Sequence, residues 1–503
     1  MQVREILQKI EFGNPVAEYD KGLQNYFIVT DAFRHLVSGN VDIIAGDKGT
    51  GKTAIYQHLK QAYSKIPELS GIEIISGFNP AGEPMFRQLG DEEKLTDGQY
   101  VTVWKMYFLS LVGNWFLQNY RSNFSGNTQR LYSLLSKVDL LSSDDAAATV
   151  FSHLMTWIRN NGTPKSIGVD MSFNEYGIPV LTPKVELGRA VEKEKVRPEM
   201  ISHHEAFSIL DRVLAEKKVV VWIVMDRLDE SFVGRPDIEV LALRALIRTF
   251  MDLRAFENIH LKLFVRNDLF RKITRDGFVN LTHVSARKRE IVWDDNDLYA
   301  MVCQRIRRSE ETLRTIGLYR PSDIKLFSIL FPPQINRARG QPTAWKWMLS
   351  QVRDGNGVKA PRNVIDLCLM AQEEQLRKER RSPREYTSGV PLIESDSLKK
   401  AAFRLSNLRI EDTLLAEYGE DVKIAIKAFR NGKSDHTEKT LSELFHISDR
   451  LQMSLVIKVL CDIGFLEQAG DEYRVPPIYR TGLNITRGKA SGNGEPANQQ
   501  QQS

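Results

Sequence analysis

GDKGTGKT, from Gly46 to Thr53, follows the apolar run 41–45 and precedes the helix-favouring segment 54–60. A strand, a glycine-rich loop and a helix in this order are typical of a phosphate-binding loop. Glycine lets the backbone turn its amides towards an anion, and the following helix presents its partially positive N-terminus to the same anion. The pattern predicts a nucleotide phosphate site at Gly46, Asp47, Lys48, Gly49, Thr50, Gly51, Lys52, Thr53 and Ala54.

Two residues at the end of this loop are candidates for contacts with the phosphate charge and with a metal ion. Lys52 is expected to neutralise phosphate charge, and the Thr53 hydroxyl is expected to ligate a magnesium ion that bridges the phosphates. These roles imply ATP and Mg²⁺ as cofactors. The alternative is an ordinary glycine-rich turn before a helix, but the apolar strand in front of the loop favours phosphate binding.

Length and composition favour a multidomain intracellular protein. The chain has 503 residues, which is enough for about three domains, and a net charge of +5, which is too small to argue for nucleic acid. Its three cysteines are widely spaced, so they predict neither a disulfide framework nor a metal site. The start of the chain lacks an apolar signal core, and the longest apolar stretch, 106–117, is too short to cross a bilayer. We therefore predict a cytoplasmic protein without a membrane partner.

A second motif indicates the kind of phosphate-loop protein. The apolar run 219–225 is too short for an independent helix and is typical of a buried parallel strand. It ends in Asp226-Arg227-Leu228-Asp229-Glu230. At the carboxyl end of such a strand Asp226 is expected to hold magnesium through its hydration water, which is the Walker B role. A solvated acidic strand end is the alternative.

The position directly after Asp226 is unusual. In many ATPases it holds the catalytic glutamate, whereas here it holds Arg227. The carboxylates come later, so we assign the polarisation of water to Glu230, with Asp229 as its rival. Arg227 at this position also leaves open slow or absent turnover.

These motifs resemble a known family. An apolar strand ending in D-x-x-D-E resembles the NACHT-type Walker B of the STAND ATPases, which are relatives of AAA-type and origin-recognition ATPases. The set of Tyr26-Phe27, GDKGTGKTAI at 46–55, DRLDES at 226–231 and FVRNDLF at 264–270 resembles a group of bacterial phosphate-loop ATPases. Some of these occur in or near antiviral defence loci. The resemblance implies an α/β fold, with a parallel-sheet P-loop ATPase core of the ASCE or AAA-like type and a helical lid.

Within this resemblance, two further segments match sensor positions. The apolar run 260–265 ends at Arg266, which is expected to contact a terminal phosphate, while Asn267 orients the attacking water. A plain ion pair of Arg266 with a surface carboxylate is the alternative. Arg362 follows Pro361 at a predicted helix start and corresponds to the second sensor, which reaches back from the lid. A structural salt bridge is the alternative for Arg362.

The aromatic pair Tyr26-Phe27 precedes the first core strand. In related ATPases such a strap packs over the adenine, and either ring offers the flat apolar face that this contact requires. Ordinary core packing is the alternative.

The remaining sequence predicts the domain organisation. The region 79–204 is an insertion with apolar helix patterns at 100–120 and 146–160 and a β-hairpin around 174–177. The predicted domains are an N-terminal strap at 1–40, the ATPase core at 41–292, the helical lid at 293–375, a charged linker at 376–410, a winged helix-turn-helix at 411–485 and a disordered tail at 486–503.

The C-terminal region, 421–475, predicts three helices and a two-stranded wing. A capping box is expected to open the second helix at Thr440, with Glu443 as its partner. The third helix offers only Arg450 and Lys458 as basic residues, and the wing tip is acidic. We therefore favour a winged helix that contacts protein over one that binds double-stranded DNA.

Together these features predict an ATP-binding and ATP-hydrolysing switch of the STAND or AAA type with slow turnover. It is expected to act as a homo-oligomer or with a partner effector protein. One alternative is a DNA-coupled ATPase of the loader or transposition-regulator type, and another is a non-hydrolysing nucleotide-dependent scaffold. Arg235 and Arg254 are among the candidates for an arginine acting across an oligomer.

Overall fold

A five-stranded parallel sheet forms the centre of the region that carries the phosphate-loop motif. The computed structural model describes residues 1–77, 95–120, 125–137, 140–142, 147–161, 166–173, 179–186, 202–232, 236–274, 278, 280–336, 338–416 and 419–490. The strands are β1 Ile43–Gly46, β2 Ile72–Ser76, β3 Ser166–Phe173, β4 Pro179–Glu186, β5 Val220–Met225, β6 Ile259–Arg266, β7 Lys288–Glu290, β8 Lys433–Thr437, β9 Glu467–Ala469, β10 Glu472–Arg474 and β11 Thr486–Lys489.

Helices surround and follow these strands. The α-helices are α1 Val3–Lys9, α2 Asp31–Val37, α3 Lys52–Ala62, α4 Asp97–Asn119, α5 Gly126–Lys137, α6 Ala147–Asn161, α7 His203–Glu216, α8 Pro236–Leu253, α9 Asn267–Thr274, α10 Leu281–Ala286, α11 Asp295–Arg307, α12 Glu310–Thr315, α13 Asp323–Leu330, α14 Ala344–Val352, α15 Pro361–Arg381, α16 Ser395–Arg409, α17 Glu420–Ala428, α18 Glu438–Phe445, α19 Arg450–Asp462 and α20 Pro477–Arg480. Short 3₁₀ helices lie at Ala17–Tyr19, Leu23–Asn25, Tyr63–Lys65, Pro67–Leu69 and Leu228–Phe232, and a π-helix lies at Ile410–Leu415.

The chain divides into two compact units. The sheet unit comprises Asp31–Gly46 and Lys52–Ile291, and the helical unit comprises Met1–Thr30, Asp47–Gly51 and Val292–Ser503. Each unit is described by itself below.

The sheet unit has the strand order β2-β5-β6-β1-β7, and all of its neighbouring strands are parallel. Strands β1, β5 and β6 are mostly apolar and buried, and in β5 the five residues 221–225 are all buried. Continuous apolar runs of this kind are typical of strands covered on both faces. The predicted α/β class with a parallel-sheet core is confirmed.

The inserted region contributes to the core of the sheet unit. Helix α4 begins after Thr96, whose side chain accepts a hydrogen bond from Gln99 N, and most of the helix is buried. Trp104 on α4 donates to the carbonyl oxygen of Ala242 on α8, at 2.8 Å. Strands β3 and β4 pair antiparallel, as the hairpin pattern predicts, and the predicted turn at 174–177 lies outside the described residues.

A buried ion cluster lies at the amino end of β1, beside the middle of β6. Lys262 Nζ is 2.7 Å from Asp42 Oδ1 and lies 4.0 Å from the centre of the Trp222 ring. Arg287 Nε donates to the other oxygen of Asp42 at 2.7 Å. Burial opposes the charge on Asp42, but the attraction of Lys262 and Arg287 outweighs it and holds the pKa of this carboxyl below its usual value.

Helices α11–α16 form the core of the helical unit together with α1. Asp294 caps α11 by accepting a hydrogen bond from Asp297 N at 2.6 Å. Helix α15 continues past the expected lid boundary at residue 375, and α16 occupies much of the expected linker. Glu379 explains the difference, because it is 1% exposed and accepts from Arg384 Nε at 2.6 Å, which ties the charged segment to the core.

Residues 410–490 form a C-terminal module with its own apolar core. Its helices α17, α18 and α19 are combined with a four-stranded sheet in the order β11-β8-β10-β9. Helix α18 is capped by Thr437, not at Thr440, because Thr440 occupies the third helical position of that capping box. The expectation of a disordered tail from residue 486 is wrong for Thr486–Lys489, which pair with β8.

Among the described residues, no helix combines the length and the apolar character needed to cross a membrane.

Candidate nucleotide-binding site

The loop between β1 and α3 has the local geometry of an anion cradle. Strand β1 ends at Gly46 and helix α3 begins at Lys52. Gly49 and Gly51 have φ angles of +79° and +104°, which side-chain-bearing residues rarely adopt. Lys52 Nζ donates to the carbonyl oxygen of Gly46 at 2.8 Å, so its ammonium group folds back to the start of the loop. This donor set fits a nucleotide phosphate chain.

Three loop side chains differ in their exposure. Lys48 is exposed, Asp47 is half-buried and Thr50 is buried. Thr50 Oγ1 donates to the carbonyl oxygen of Asp47 at 2.8 Å, which closes a turn inside the loop. At the start of α3, Thr53 and Ala54 are half-buried. The hydroxyl of Thr53 is therefore in the first turn of helix α3.

Strand β6 brings the predicted sensor directly beside the loop. Arg266 is the register partner of Gly46 in the parallel pairing of β1 and β6. Its guanidinium forms a two-point ion pair with Asp268, with Nε at 3.1 Å from Oδ1 and Nη2 at 2.8 Å from Oδ2. Burial opposes the charge on Asp268, but this ion pair prevails and holds the pKa of the carboxyl below its usual value. Asn267 begins helix α9 next to it.

Asp226 lies at the carboxyl end of β5, where it is 5% exposed. Strand β6 separates β5 from β1, so Asp226 and Gly46 end strands that are two positions apart in the sheet. Between helix α3 and strand β2, Tyr56 and Ser76 are hydrogen-bonded through their hydroxyls. Burial raises the pKa of Tyr56, and the negative charge of Asp226 adds to this effect. This electrostatic coupling indicates that α3 and the end of β5 are close.

The residues after Asp226 form a tight turn. Arg227 has a φ angle of +56°, and the short 3₁₀ helix Leu228–Phe232 follows it. Arg227 Nη1 is 3.4 Å from Glu230 Oε2. Glu230 is exposed. Its ion-pair partner, Arg227, occupies the position that holds the catalytic glutamate in many ATPases. Asp229 lies in the same turn, but its side chain lies outside the described residues.

Inside the helical unit, the loop residues 47–51 contact the start of α15. Arg362 N is 3.4 Å from the carbonyl oxygen of Gly49, which accepts its hydrogen bond. A Cβ atom on Gly49 would lie 3.1 Å from Arg362 Cβ and 3.5 Å from Ala360 Cβ. Trp293 adds a second contact, because its Nε1 donates to the carbonyl oxygen of Thr50 at 2.8 Å. The backbone of Arg362, the predicted second sensor, therefore contacts the loop.

The segment before α15 links this contact to the C-terminal module. Residues 353–359 form a hairpin closed by the bridge between Arg353 and Lys359. Gly355 N donates to the carbonyl oxygen of Gly464 at 2.7 Å, and a Cβ at Gly355 would lie 2.5 Å from the Leu466 carbonyl oxygen. Arg353 pairs with Glu467 at 2.6 Å. The hairpin thus packs closely on the turn that follows α19.

Asp354 is the buried acid of this hairpin. Its Oδ1 accepts from Asn356 N at 3.0 Å and from Val358 N at 2.9 Å. Burial raises the pKa of Asp354 to about 6, and the negative charge of Asp47 acts in the same direction. The Asp354 carboxyl thus holds the hairpin together through two backbone amides, and its pKa lies at about 6.

The predicted adenine strap has a different environment. Tyr26 is 6% exposed, and its hydroxyl donates a hydrogen bond to Asp20. The guanidinium of Arg305 lies 4.4 Å from the Tyr26 ring centre. One ring face is therefore occupied, and burial together with the Asp20 hydrogen bond raises the pKa of Tyr26. Phe27, the other aromatic residue of the predicted strap, is half-buried.

The sequence did not identify Trp293, the 353–359 hairpin or Lys262. A lysine between apolar residues in His260-Leu261-Lys262-Leu263 is a signal that could have revealed the buried ion pair, because strand interiors seldom carry an unpaired charge. The hairpin carries a weaker signal in Asp354-Gly355-Asn356-Gly357, which is typical of a tight turn but says nothing about its partner.

Comparison with known proteins gives similarity to solved structures alone. No protein-family model matches the chain, and no curated protein matches it. The Walker-type ATPase of Pyrococcus abyssi is 10% identical over 91% of this chain and 96% of its own, with a TM-score of 0.37. The ORC2 protein of Aeropyrum pernix, in ADPNP–ADP complexes, is 13% identical over 93% of this chain and 97% of its own, with a TM-score of 0.35.

The ORC1 protein of Aeropyrum pernix, solved in complex with DNA, is 13% identical over 95% of this chain and 96% of its own, with a TM-score of 0.33. Likenesses at these TM-scores carry no argument about the site. The parallel sheet and the glycine-rich loop between β1 and α3 themselves define a P-loop protein of the α/β class.

Proposed function

We propose that this chain is an ATP-binding and ATP-hydrolysing molecular switch of the STAND or AAA type. The observation that carries this proposal is the pairing of Gly46 with Arg266 across β1 and β6, next to a loop in which Lys52 folds back onto Gly46. The end of β1 at Gly46, the ammonium group of Lys52 and the guanidinium-bearing Arg266 then lie at one edge of one sheet. This combination suits a nucleoside triphosphate.

In this proposal, different residues bind the phosphates and the metal. Bound ATP would supply the transferable γ-phosphoryl group, and Mg²⁺ would neutralise its charge. The loop amides and Lys52 would hold the phosphates, and Thr53 and Asp226 would hold the metal. The position of Asp226 at the carboxyl edge of the same parallel sheet supports this assignment.

Hydrolysis requires a base and a group that responds to the γ-phosphate. Glu230 orients and polarises the attacking water, with Asp229 as the alternative base. The ion pair between Glu230 and Arg227 holds this carboxylate in place before turnover and is a reason to expect a slow rate. Arg266 exchanges Asp268 for the terminal phosphate, and Asn267 orients the water.

In this proposal, contacts between the phosphate loop and the helical lid convert the nucleotide state into a conformational change. The backbone hydrogen bond from Arg362 to Gly49 and the hydrogen bond from Trp293 to Thr50 tie the loop to the start of α15 and to the segment before α11. A phosphate in the cradle turns the loop amides inward and changes these contacts. The hairpin 353–359 carries the change to the C-terminal module, which we assign as a winged helix.

The role in the cell follows from the resemblance alone. A place in antiviral defence, a homo-oligomeric state and a partner effector are part of the proposal on that basis. A DNA-coupled ATPase is the second candidate, since a winged helix is a common duplex reader. The acidic wing tip at Asp471 and Glu472 favours the switch over this candidate.

Equilibrium binding of a fluorescent ATP analogue tests the proposal. Wild type is expected to bind in the presence of Mg²⁺, and Lys52→Ala is expected to lose binding by at least about 100-fold because phosphate charge is no longer neutralised. Lys60→Ala, which removes an exposed lysine from the same helix, is the matched control and is expected to bind normally. Equal binding by wild type and Lys52→Ala would contradict the assignment of the loop.

A further inference from the structure

Tyr56 on helix α3 spans the strand ends near Asp226. Its ring packs edge-on against Phe264 of β6, with the ring centres 6.3 Å apart and the ring planes at 78°. Its hydroxyl is hydrogen-bonded to the hydroxyl of Ser76, the last residue of β2. Strand β5 lies between β2 and β6 in the sheet. The side chain of Tyr56 therefore crosses β5 near its carboxyl end.

The strand register puts Asp226 on the face of the sheet that Tyr56 covers. Ser76 is the register partner of Val224 in β5, and Asp226 follows Val224 two residues later. Because side chains alternate between the two faces of a sheet, Asp226 continues the face of Ser76 and Val224. Burial raises the pKa of Tyr56, and the negative charge of Asp226 raises it further. The phenol and the carboxylate are therefore neighbours.

The end of β2 that anchors the Tyr56 hydroxyl is fixed from two sides. Gly77 N donates to the carbonyl oxygen of Val224 at 2.8 Å. The fully buried Tyr107 donates its hydroxyl to the carbonyl oxygen of Gly77. Ser76, directly before Gly77, therefore holds the phenol of Tyr56 at a defined point of the sheet edge.

The hydroxyl pair suits a supporting role at a metal site. Tyr56 lies three residues after Thr53 on α3, so the two side chains project from one side of the helix. Thr53, Asp226 and the hydroxyl pair all offer oxygen, the donor atom that Mg²⁺ prefers. Residues that bind a metal are commonly oriented by hydrogen bonds from residues behind them. When Ser76 donates to the phenolic oxygen, the phenolic proton remains for a second acceptor.

We propose that Tyr56 is a positioning residue of the metal site, whose hydroxyl, held by Ser76, donates to the Asp226 carboxylate and orients it towards Mg²⁺. This inference rests on the proposed function and adds a residue that acts through Asp226 rather than on the nucleotide. Its consequence is a contribution of Tyr56 to the affinity for the metal that does not extend to the affinity for the nucleotide alone.

Binding of Mn²⁺, a paramagnetic substitute for Mg²⁺, tests this proposal. The full chain is titrated with Mn²⁺ in the presence of a saturating non-hydrolysable ATP analogue, and electron paramagnetic resonance measures the Mn²⁺ that stays free. The affinity for the analogue is measured separately in EDTA. Tyr56→Phe keeps the ring on Phe264 and loses the hydroxyl, so Mn²⁺ binding is expected to weaken about tenfold while the metal-free affinity for the analogue stays unchanged.

Tyr63→Phe is the matched control. It removes a hydroxyl that donates to Glu73 at 3.1 Å, near the other end of β2. This variant is expected to bind both Mn²⁺ and the analogue like wild type, because the lost hydrogen bond is not at the edge of the sheet that carries Asp226.

Ser76→Ala tests the anchor of the phenol. The variant is expected to weaken Mn²⁺ binding as well. The double variant with Tyr56→Phe is expected to bind Mn²⁺ no more weakly than Tyr56→Phe alone, because the two hydroxyls act as one unit. Losses that add in the double variant would contradict this coupling.

The outcomes separate this inference from the proposed function. Equal Mn²⁺ affinity in wild type and Tyr56→Phe would overturn the inference, while binding of the metal and the analogue by wild type would still support the proposed function. A Tyr56→Phe chain that loses metal-free affinity for the analogue by the same factor would also overturn the inference, because the hydroxyl would then serve the packing of α3. A wild-type chain that binds neither the analogue nor Mn²⁺ would overturn both.

Discussion

Arg227 and Glu230 form the ion pair on which the rate of hydrolysis depends in this account. Arg227 adopts a left-handed backbone conformation directly after Asp226, and its side chain reaches Glu230 at 3.4 Å. Left-handed backbone at a residue with a long side chain is uncommon, and such outliers cluster at functional sites. In the proposed mechanism this arginine holds the carboxylate that we assign as the base.

Glu230→Gln tests the assignment of the base. The variant keeps the size and the hydrogen-bonding capacity of the side chain but cannot accept a proton, so nucleotide binding is expected to persist while hydrolysis falls by roughly 100-fold. Single-turnover hydrolysis of radiolabelled ATP is the measurement, with the exposed Glu257→Gln as the control. If Glu230→Gln hydrolyses normally while Asp229→Asn does not, the base is Asp229.

Lys262→Met tests the buried ion cluster. Removing the lysine leaves Asp42 with Arg287 alone, and the loss of one partner from a buried pair costs roughly 3 kcal/mol. Denaturant unfolding followed by tryptophan fluorescence measures this cost. The double variant with Asp42→Asn is expected to be more stable than Lys262→Met alone, and a double variant that loses the sum of both costs would contradict the pairing.

At the level of elements, the 353–359 hairpin is the connection that the sequence analysis missed. The proline at 361 predicts a helix start, and Pro361 is the first residue of α15. The sequence does not predict that Gly355 packs against Leu466, because that contact joins positions far apart in the chain. Local patterns define elements, whereas contacts of this kind depend on the assembled fold.

Asp354→Asn tests the buried acid of this hairpin. The raised pKa means that the folded chain binds its proton more tightly than the unfolded chain does, so stability falls as the pH rises from about 4 to about 6. The asparagine keeps an acceptor for both backbone amides and removes the charge. It is expected to stabilise the chain above pH 6 by at most about 3 kcal/mol and to have little effect near pH 4.

The midpoint of thermal unfolding of both proteins, measured at intervals from pH 4 to pH 8, checks this expectation. The difference between wild type and Asp354→Asn isolates this carboxyl from all others that titrate in the same range. A difference that is constant with pH would mean that Asp354 ionises normally in the folded chain.

Helix α19 shows where periodicity misleads. The row of Leu451, Leu455 and Val459 has the spacing of a core face, but the structure buries Met453, Ile457 and Leu460 instead. Both rows satisfy a helical period, so sequence alone cannot choose between them. Burial in the assembled module, and not the period, therefore decides which row faces the core.

At the scale of the whole molecule, the sequence predicts the class and the nucleotide loop well. The strand before the phosphate loop, the strand before Asp226 and the strand that ends at Arg266 all lie in one parallel sheet. Each is a contiguous motif with a strong local signal, and parallel topology brings strand ends of the same polarity to one edge. An ion pair of Arg266 with a surface carboxylate is among the sequence-based expectations, and Asp268 is that carboxylate. The ion pair of Arg227 with Glu230 was not predictable, because side-chain partners depend on the turn geometry after each strand.

The steady-state rate of ATP hydrolysis by the purified full chain tests the central claim most directly. The measurement uses Mg²⁺, Lys52→Ala as the blank, and parallel reactions with and without double-stranded DNA. We expect a slow rate that clearly exceeds the blank and does not respond to DNA, because the proposed switch is activated by a protein. A rate equal to that of Lys52→Ala would contradict hydrolysis at this loop, and strong stimulation by DNA would move the chain to the DNA-coupled class.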